Sequence, residues 1–390
     1  MKILHIYKDY YPVLGGIENH IRLLAEAQAR RGHEVTILAT GPGPRTLCEV
    51  LNGVRVIKAG RLATIASAPL SVTLPLILAR QRPDIAHLHF PYPVGEVAQW
   101  LLGRAQRTVM TYHSDVVRQR GWLRLYSPVM RRVLKAMDRI LVTSPQYLHS
   151  SPFLQPVLGR CQVVPLGIDV GRFLAADPAR IESLRRELGQ PLLLFVGRLR
   201  YYKGLHYLLR ALVELEGVHL AVVGRGPMEA EWKALAVDLG LQERVHFVGE
   251  VPDEDLAAYY HASDLFVLPA CERSEAYGLV QVEALAAGVP VISTELGTGT
   301  SFVNQHGETG LVVPPRDPGA LAEACRELLG DEERRQRLGM QGRARALAEF
   351  GVERMVERVE EAYRAVKGGG KRAETERRRH EDSQRTVRDS

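Results

Sequence analysis

A chain of 390 residues that is 46% hydrophobic and 25% charged has a soluble globular composition and the length for two domains, each with its own core. The net charge of +6 is uneven, with nine basic against two acidic side chains in residues 102–139, yet no aromatic-interleaved basic sheet accompanies them, so nucleic acid is not an expected partner. No apolar run reaches the roughly 20 residues that cross a bilayer, and Lys8 and Asp9 bring charge too early for a signal peptide.

Met1 to Tyr7 reads as a strand, Lys8 to Gly16 as a glycine-ended loop, and Ile17 to Arg31 as an amphipathic helix closed by Gly32. Strand, glycine loop and helix make the phosphate-facing corner of a doubly wound fold, but the G-x-G-x-x-G fingerprint of a dehydrogenase is absent. Gly15 and Gly16 either let backbone approach a ligand or form a plain tight turn. Further strands are expected at 35–39, 54–57, 84–90, 108–113, 140–144 and 162–165, alternating with helical stretches. The alternation restarts at 192–197 and continues through 219–224, 245–249, 265–268, 289–293 and 310–313. Two such sets predict an α/β protein of two Rossmann-like domains with doubly wound parallel sheets, 1–168 and 169–350, linked near Pro165 to Pro178. A last helix, 351–367, is expected to return to the first domain. The charged tail 368–390 lacks apolar periodicity and is expected to be disordered. Cys48, Cys161, Cys271 and Cys325 are far apart with no CxxC spacing, as expected of free thiols in a reducing cytoplasm.

In open α/β sheets, ligands bind beyond the carboxyl ends of the strands, and each candidate site residue lies at such an end. His113 ends the strand TVMTY, where a lone histidine reads as a structural hydrogen-bonding residue or a ligand contact. Asp115 either caps the next segment or meets an acceptor. Residues 121–139 place Trp122, Leu125, Tyr126, Val129, Met130, Val133 and Met137 at helical spacing, with Pro128 interrupting and Arg131, Arg132 and Lys135 off the stripe. That helix either faces the core with a solvated basic side or rests on an anionic membrane.

Gly197, Arg198 and Lys203, in FVGRLRYYKG, leave a strand and enter a helix, where the Arg fork and the Lys charge can converge on one diphosphate. Gly224 and Gly226, in VGRGPME, let a nucleotide approach the backbone at the next strand end. Asp253-Glu-Asp255 fits a metal-binding Asp-x-Asp formally but opens a helix, so capping and helix-dipole roles explain it and no metal site is expected. The stretch PACERSEAYGLVQVEALAAGVP then carries Glu275 and Glu283 eight positions apart. Singly, they read as a loop carboxylate and a solvated helix residue. If the helix begins near Gly278, the amides of Ala276, Tyr277, Gly278 and Leu279 form an anion site between the two carboxylates.

The frame SEAYGLV before and EALAAGVPVI after these glutamates resembles the glutamate-x7-glutamate signature of retaining GT-B glycosyltransferases of the glycosyl transferase group 1 kind (family 4). The resemblance covers about residues 1–366, including GRLRYYKG, the Gly15-Gly16 loop, RGHEV and His113. It implies a GT-B fold with the active site in the cleft between the domains and metal-independent, cofactor-free transfer from a nucleotide-sugar. It further implies that Arg198 and Lys203 clamp the diphosphate, Glu275 holds sugar hydroxyls, Glu283 holds ribose hydroxyls and His113 faces the donor sugar. The segments YHSDVVRQ, PLGID and TGTSFVNQHGETGLVV look most like bacterial mannosyltransferases that build lipid-linked surface polysaccharide. GDP-mannose is the expected donor, with a UDP-hexose as alternative, and a glycan or lipid-linked sugar is the expected acceptor. The expected location is cytoplasmic, with peripheral contact on the inner membrane face. A GT-B epimerase, a phosphorylase or a non-catalytic sugar-nucleotide-binding subunit remain as other classes. No phosphorylase motif is present, and the complete Arg198, Lys203, Glu275 and Glu283 set argues against a decayed enzyme.

Overall fold

The computed structural model describes residues 1–13, 15–65, 68–115 and 120–368. Arg118 of the basic stretch and the tail beyond 368 lie outside the described residues, as do the side chains of Trp122 and Leu125. The chain divides into two compact units, one holding residues 1–142, 156–164 and 355 onward, the other 143–155 and 165–354. The short segment 143–155 thus belongs with the second unit, although it precedes the expected linker.

The first unit runs β1 (Lys2–Ile6), α1 (Gly16–Arg30), β2 (Glu34–Thr40), β3 (Leu47–Leu51), β4 (Val54–Ala59), β5 (Ala63–Ile65), β6 (Ala68–Leu70), α2 (Thr73–Leu78), β7 (Ile85–Phe90), α3 (Pro93–Leu102), β8 (Arg107–Tyr112), α4 (Arg120–Ala136) and β9 (Arg139–Val142). Helix α5 (Pro145–Ser150) lies in the second unit, after which β10 (Cys161–Val163) completes the first sheet. Its strand order is β10-β9-β8-β7-β1-β2-β4-β3, parallel except for the β3–β4 pair. The order reverses between β1 and β7, which makes the carboxyl ends of these strands the switch point where doubly wound sheets bind ligands.

Strand β3 and the β5–β6 pair were not expected, because β3 is almost wholly exposed and shows no buried stripe. A signal for β3 is nonetheless present: Asn52-Gly53 joins it to β4, and both residues have positive φ (48° and 80°), the geometry of a two-residue hairpin turn. Helix α4 continues through Pro128 instead of being interrupted there. Its Met130, Val133, Leu134 and Met137 are buried, while Arg131, Arg132 and Lys135 are exposed.

The second unit continues with α6 (Pro178–Leu188), β11 (Leu192–Val196), α7 (Leu205–Val213), β12 (His219–Val223), α8 (Glu229–Asp238), β13 (Val245–Gly249), α9 (Leu256–Ala262), β14 (Leu265–Leu268), α10 (Leu279–Ala287), β15 (Val291–Thr294), α11 (Thr300–Val303), β16 (Gly310–Val313), α12 (Pro318–Leu329) and α13 (Glu332–Glu349). A final helix, α14, spans 352–368. The sheet is all parallel in the order β13-β12-β11-β14-β15-β16, the classic doubly wound arrangement with its switch between β11 and β14. Both faces of β11 are buried: Leu193 and Phe195 enter one core, while Leu192, Leu194 and Val196 enter the other. That is why this segment reads as an unbroken apolar run. Strand β15 begins at Val291 rather than Val289, because Pro290 has no N–H to give to the ladder. The helical stretch 320–348 is two helices, broken at Gly330-Asp331, where Asp331 accepts from the amide of Arg334 and caps α13.

Candidate active site

Two loops meet at the switch point of the second unit. One follows β11 and carries Gly197, Arg198 and Lys203; the other follows β14 and carries Glu275. They are stitched together by the Cys271 amide, which donates to the Tyr202 carbonyl at 2.8 Å. Gly204 has φ +70°, and a Cβ there would lie 2.0 Å from the Pro269 carbonyl oxygen, so only glycine allows the second loop this close. Gly224 and Gly226 have a comparable role. A Cβ on either would come within 2.3 Å of the carbonyl oxygens of Gly197 and Leu199 respectively. The close approach expected there for a nucleotide is therefore already made by protein backbone.

Lys203 and Glu275 are each only 8% exposed and form an ion pair, with Nζ 2.6 Å from Oε2. Burial works against the ammonium, but the carboxylate of Glu275, reinforced by Glu283, outweighs it and holds the Lys203 pKa above its ordinary value. Among the described residues, no donor other than Lys203 reaches Oε2 of Glu275. The main chain of Glu275 is held from behind, because Thr298 Oγ1 donates to its carbonyl at 2.8 Å and the Gly299 amide donates to the Ala276 carbonyl at 2.7 Å. Arg198 is exposed beside the pair in sequence.

Helix α10 starts after Gly278, which is left-handed at φ +76°. Among the described residues, the amides of Ala276, Gly278 and Leu279 meet no acceptor, so they are available to an anion. Tyr277 is buried and its hydroxyl donates to the Leu166 carbonyl at 3.3 Å, fixing the turn. One turn into the helix, Glu283 accepts from the Tyr260 hydroxyl at 2.7 Å. Burial pushes its pKa up to about 7, against the opposing effect of that hydrogen bond. Asp255 sits at the start of α9 without a side-chain capping bond, so the expected cap is not made. Asp253 instead pairs with Arg172 at 3.3 Å.

The first unit holds a feature that the sequence reading missed. His5 on β1 and His87 on β7 are register partners; His89 follows two residues on, Thr111 pairs with it on β8, and His113 comes just after β8. In parallel strands, register partners and i, i+2 residues share a face, so these four histidines line one side of the sheet. Helix α1 covers them with His20 and Gln28, and α14 does so with Tyr363. The alternating HLH in a strand of buried residues was the available signal. All five rings are buried, and burial holds their pKa values below the ordinary range, to about 4 for His5 and about 3 for His20. They are neutral at pH 7. The ligand atoms of two triads, His5–His87–His89 and His20–His89–His113, lie within 4.8 Å of one another, close enough to hold a metal ion, although no metal site was expected from the sequence.

Gly15 and Gly16, at the loop before α1, are exposed. Gly15 is extended at φ −175°, which any residue adopts, and a Cβ there would meet only the movable Glu18 carboxylate. Asp115 accepts from the Tyr112 hydroxyl at 2.8 Å. The start of the segment it was expected to cap lies outside the described residues.

Two doubly wound α/β units with these strand orders are the architecture of the GT-B fold. The comparisons agree. The model for glycosyltransferase family 4 matches residues 14–172, and that for glycosyl transferases group 1 matches residues 177–345. The chain is 39% identical over 348 residues to the D-rhamnosyltransferase WbpZ of Pseudomonas aeruginosa, covering 88% of this chain and 91% of that one. It is 37% identical over 366 residues to the O-antigen chain mannosyltransferase C of Escherichia coli, covering 93% and 98%. Among solved structures, the sucrose-phosphate synthase of Thermosynechococcus elongatus superposes with a TM-score of 0.78 at 26% identity, covering 94% of this chain and 99% of that one. The chain belongs to the group 1 glycosyltransferase family and is a glycosyltransferase.

Proposed function

We propose that this enzyme is a retaining, metal-independent hexosyltransferase that moves mannose from GDP-mannose to a glycan or lipid-linked acceptor in surface-polysaccharide assembly. The observation that carries the reading is the buried Lys203–Glu275 pair, whose glutamate immediately precedes the amides at the start of α10 that meet no acceptor among the described residues. In this reading the diphosphate lies on those amides, with Arg198 and Lys203 meeting the charge that develops as the bond from sugar C1 to phosphate oxygen breaks. The acceptor oxygen bonds to C1 on the same face, and its proton passes to the departing diphosphate. Glu275 orients the sugar hydroxyls, Glu283 accepts from the ribose hydroxyls and His113 meets the sugar. No carboxylate has to act as nucleophile, unlike in a retaining hydrolase.

The relatives' names support a manno-configured sugar, since D-rhamnose is 6-deoxymannose. A UDP-hexose is the second reading of the donor. Thermal shift with GDP, UDP, GDP-mannose and UDP-glucose, with and without magnesium, separates them, because a ligand of the folded state raises the melting temperature. Stabilisation by GDP-mannose without metal is the expected result; stabilisation by the uridine compounds alone overturns the mannose assignment, and a requirement for magnesium overturns metal independence.

Contact with an anionic membrane, as a lipid-linked acceptor requires, draws support from the first unit. Helix α3 ends in exposed Trp100, Leu101 and Leu102 and packs against α2, with its exposed Leu76, and against α4 with its basic face. No helix of the described residues is long and apolar enough to cross a membrane. Co-sedimentation with anionic but not neutral vesicles at low salt is expected.

A further inference from the structure

Of the five buried histidines, three are joined end to end. His5 Nε2 lies 2.8 Å from Gln28 Oε1, His5 Nδ1 lies 3.1 Å from His89 Nε2, and His89 Nδ1 lies 3.1 Å from His113 Nε2. The chain ends at His113 Nδ1, which is buried and, among the described residues, has no partner. We propose that Gln28 is a positioning residue that sets the tautomer of His113 through the imidazoles of His5 and His89, so that His113 presents Nδ1 as a bare hydrogen-bond acceptor to a sugar hydroxyl. This rests on the reading above in which His113 meets the donor sugar.

A neutral imidazole has one N–H and one lone pair. Once one end of such a chain is settled, every proton in it is settled. The direction follows from a second branch. The Tyr363 hydroxyl lies 2.6 Å from His87 Nδ1, short for an N–H donor and ordinary for an O–H donor, so the phenol donates to the ring. His87 Nε2–H then donates to Thr111 Oγ1 at 2.7 Å. With its hydrogen engaged by His87, the Tyr363 oxygen accepts from Gln28 Nε2 at 3.4 Å, which turns Oε1 toward His5. A carbonyl oxygen can only accept, so His5 Nε2 donates, His5 Nδ1 accepts from His89 Nε2, and His89 Nδ1 accepts from His113 Nε2. The lone pair left over is Nδ1 of His113. If the Gln28 amide were turned the other way, each proton would shift along the chain and His113 would offer an N–H instead. Burial excludes the bulk water that would otherwise scramble the order.

The test uses the full chain labelled with 15N-histidine, with His113 assigned by the signal lost in His113→Gln. In the wild type without ligand, long-range nitrogen–proton correlations are expected to show His113 with Nε2 protonated and Nδ1 bare. In Gln28→Met, which keeps the bulk but offers no hydrogen bond, His113 is expected to become a mixture of tautomers. In the same variant kcat for GDP release from GDP-mannose is expected to fall about tenfold, the lower range for losing a histidine's orienting partner, with KM little changed. Leu24→Ala, on the same buried face of α1 but without hydrogen bonds, should lower the melting temperature and leave tautomer and kcat alone. A wild-type His113 protonated at Nδ1 overturns the proposal, as does an unchanged tautomer in Gln28→Met. Stoichiometric Zn²⁺ uptake that His89→Gln abolishes also overturns it, because the metal would occupy the lone pairs the chain uses. Should the tautomers follow expectation while the wild type fails to turn over GDP-mannose, the donor assignment falls and the positioning role stands.

Discussion

Replacing Lys203 by methionine removes an ammonium from the interior while keeping most of its apolar stem. Both members of the Lys203–Glu275 pair are 8% exposed, and among the described residues no second donor reaches Oε2 of Glu275. The variant therefore strands a buried carboxylate, which costs about 3–5 kcal/mol. At about 2–4 °C per kcal/mol for a unit of this size, the melting temperature should drop by about 6–20 °C. The double variant Lys203→Met/Glu275→Gln removes both charges and should recover about 2–3 kcal/mol of that loss. Urea unfolding of wild type, both single variants and the double variant closes the cycle. The pH dependence gives a second handle. In the wild type, the Lys203 pKa is raised above that of the unfolded chain. Its contribution is therefore fully present below the unfolded value and is lost only as pH climbs through the raised one. Additive single variants in the urea cycle would refute the reasoning.

The Glu283 carboxyl, with its pKa pushed up to about 7, is mostly protonated at pH 6 and mostly ionised at pH 8. If the carboxylate holds the ribose, nucleotide affinity measured by calorimetry should rise about tenfold between those values, and Glu283→Gln should flatten the profile. Gly204→Ala forces a Cβ against the Pro269 carbonyl in a left-handed residue. Loss of stability by more than 2 kcal/mol or so, with loss of nucleotide-induced thermal shift, is expected. Asn304 is fully buried; its Nδ2 donates to the Val291 and Leu311 carbonyls and its Oδ1 accepts from Thr309. Asn304→Ala should cost roughly 3 kcal/mol in chemical denaturation through the groups left unpaired, without a direct effect on KM.

Much of the fold was legible because parallel strands buried on both faces write themselves as short apolar runs, as LLLFV at β11 and LFVL at β14 do. Their alternation with helices dictates a doubly wound architecture whatever the details of packing. The exposed strand β3 escaped this logic, since an edge strand without a buried face carries no period, and only its Asn52-Gly53 turn announces it. The candidate site in the second unit was legible as residue types at strand ends, because its arginine, lysine and two glutamates stand in two contiguous motifs. The reason for its glycines was not: Gly204, Gly224 and Gly226 answer to backbone from loops remote in sequence.

The sequence by itself determined the class of fold, the strand ends that carry the candidate site and the family, since each of these follows from local pattern or from contiguous motifs. Only the tertiary structure decided which charges pair and which rings touch. Lys203 meets Glu275 across 72 positions, and His5 meets His89 across 84, through parallel pairing of strands far apart in the chain. Burial then determines their ionisation, and burial is a property of the assembled sheet and its covering helices rather than of any segment.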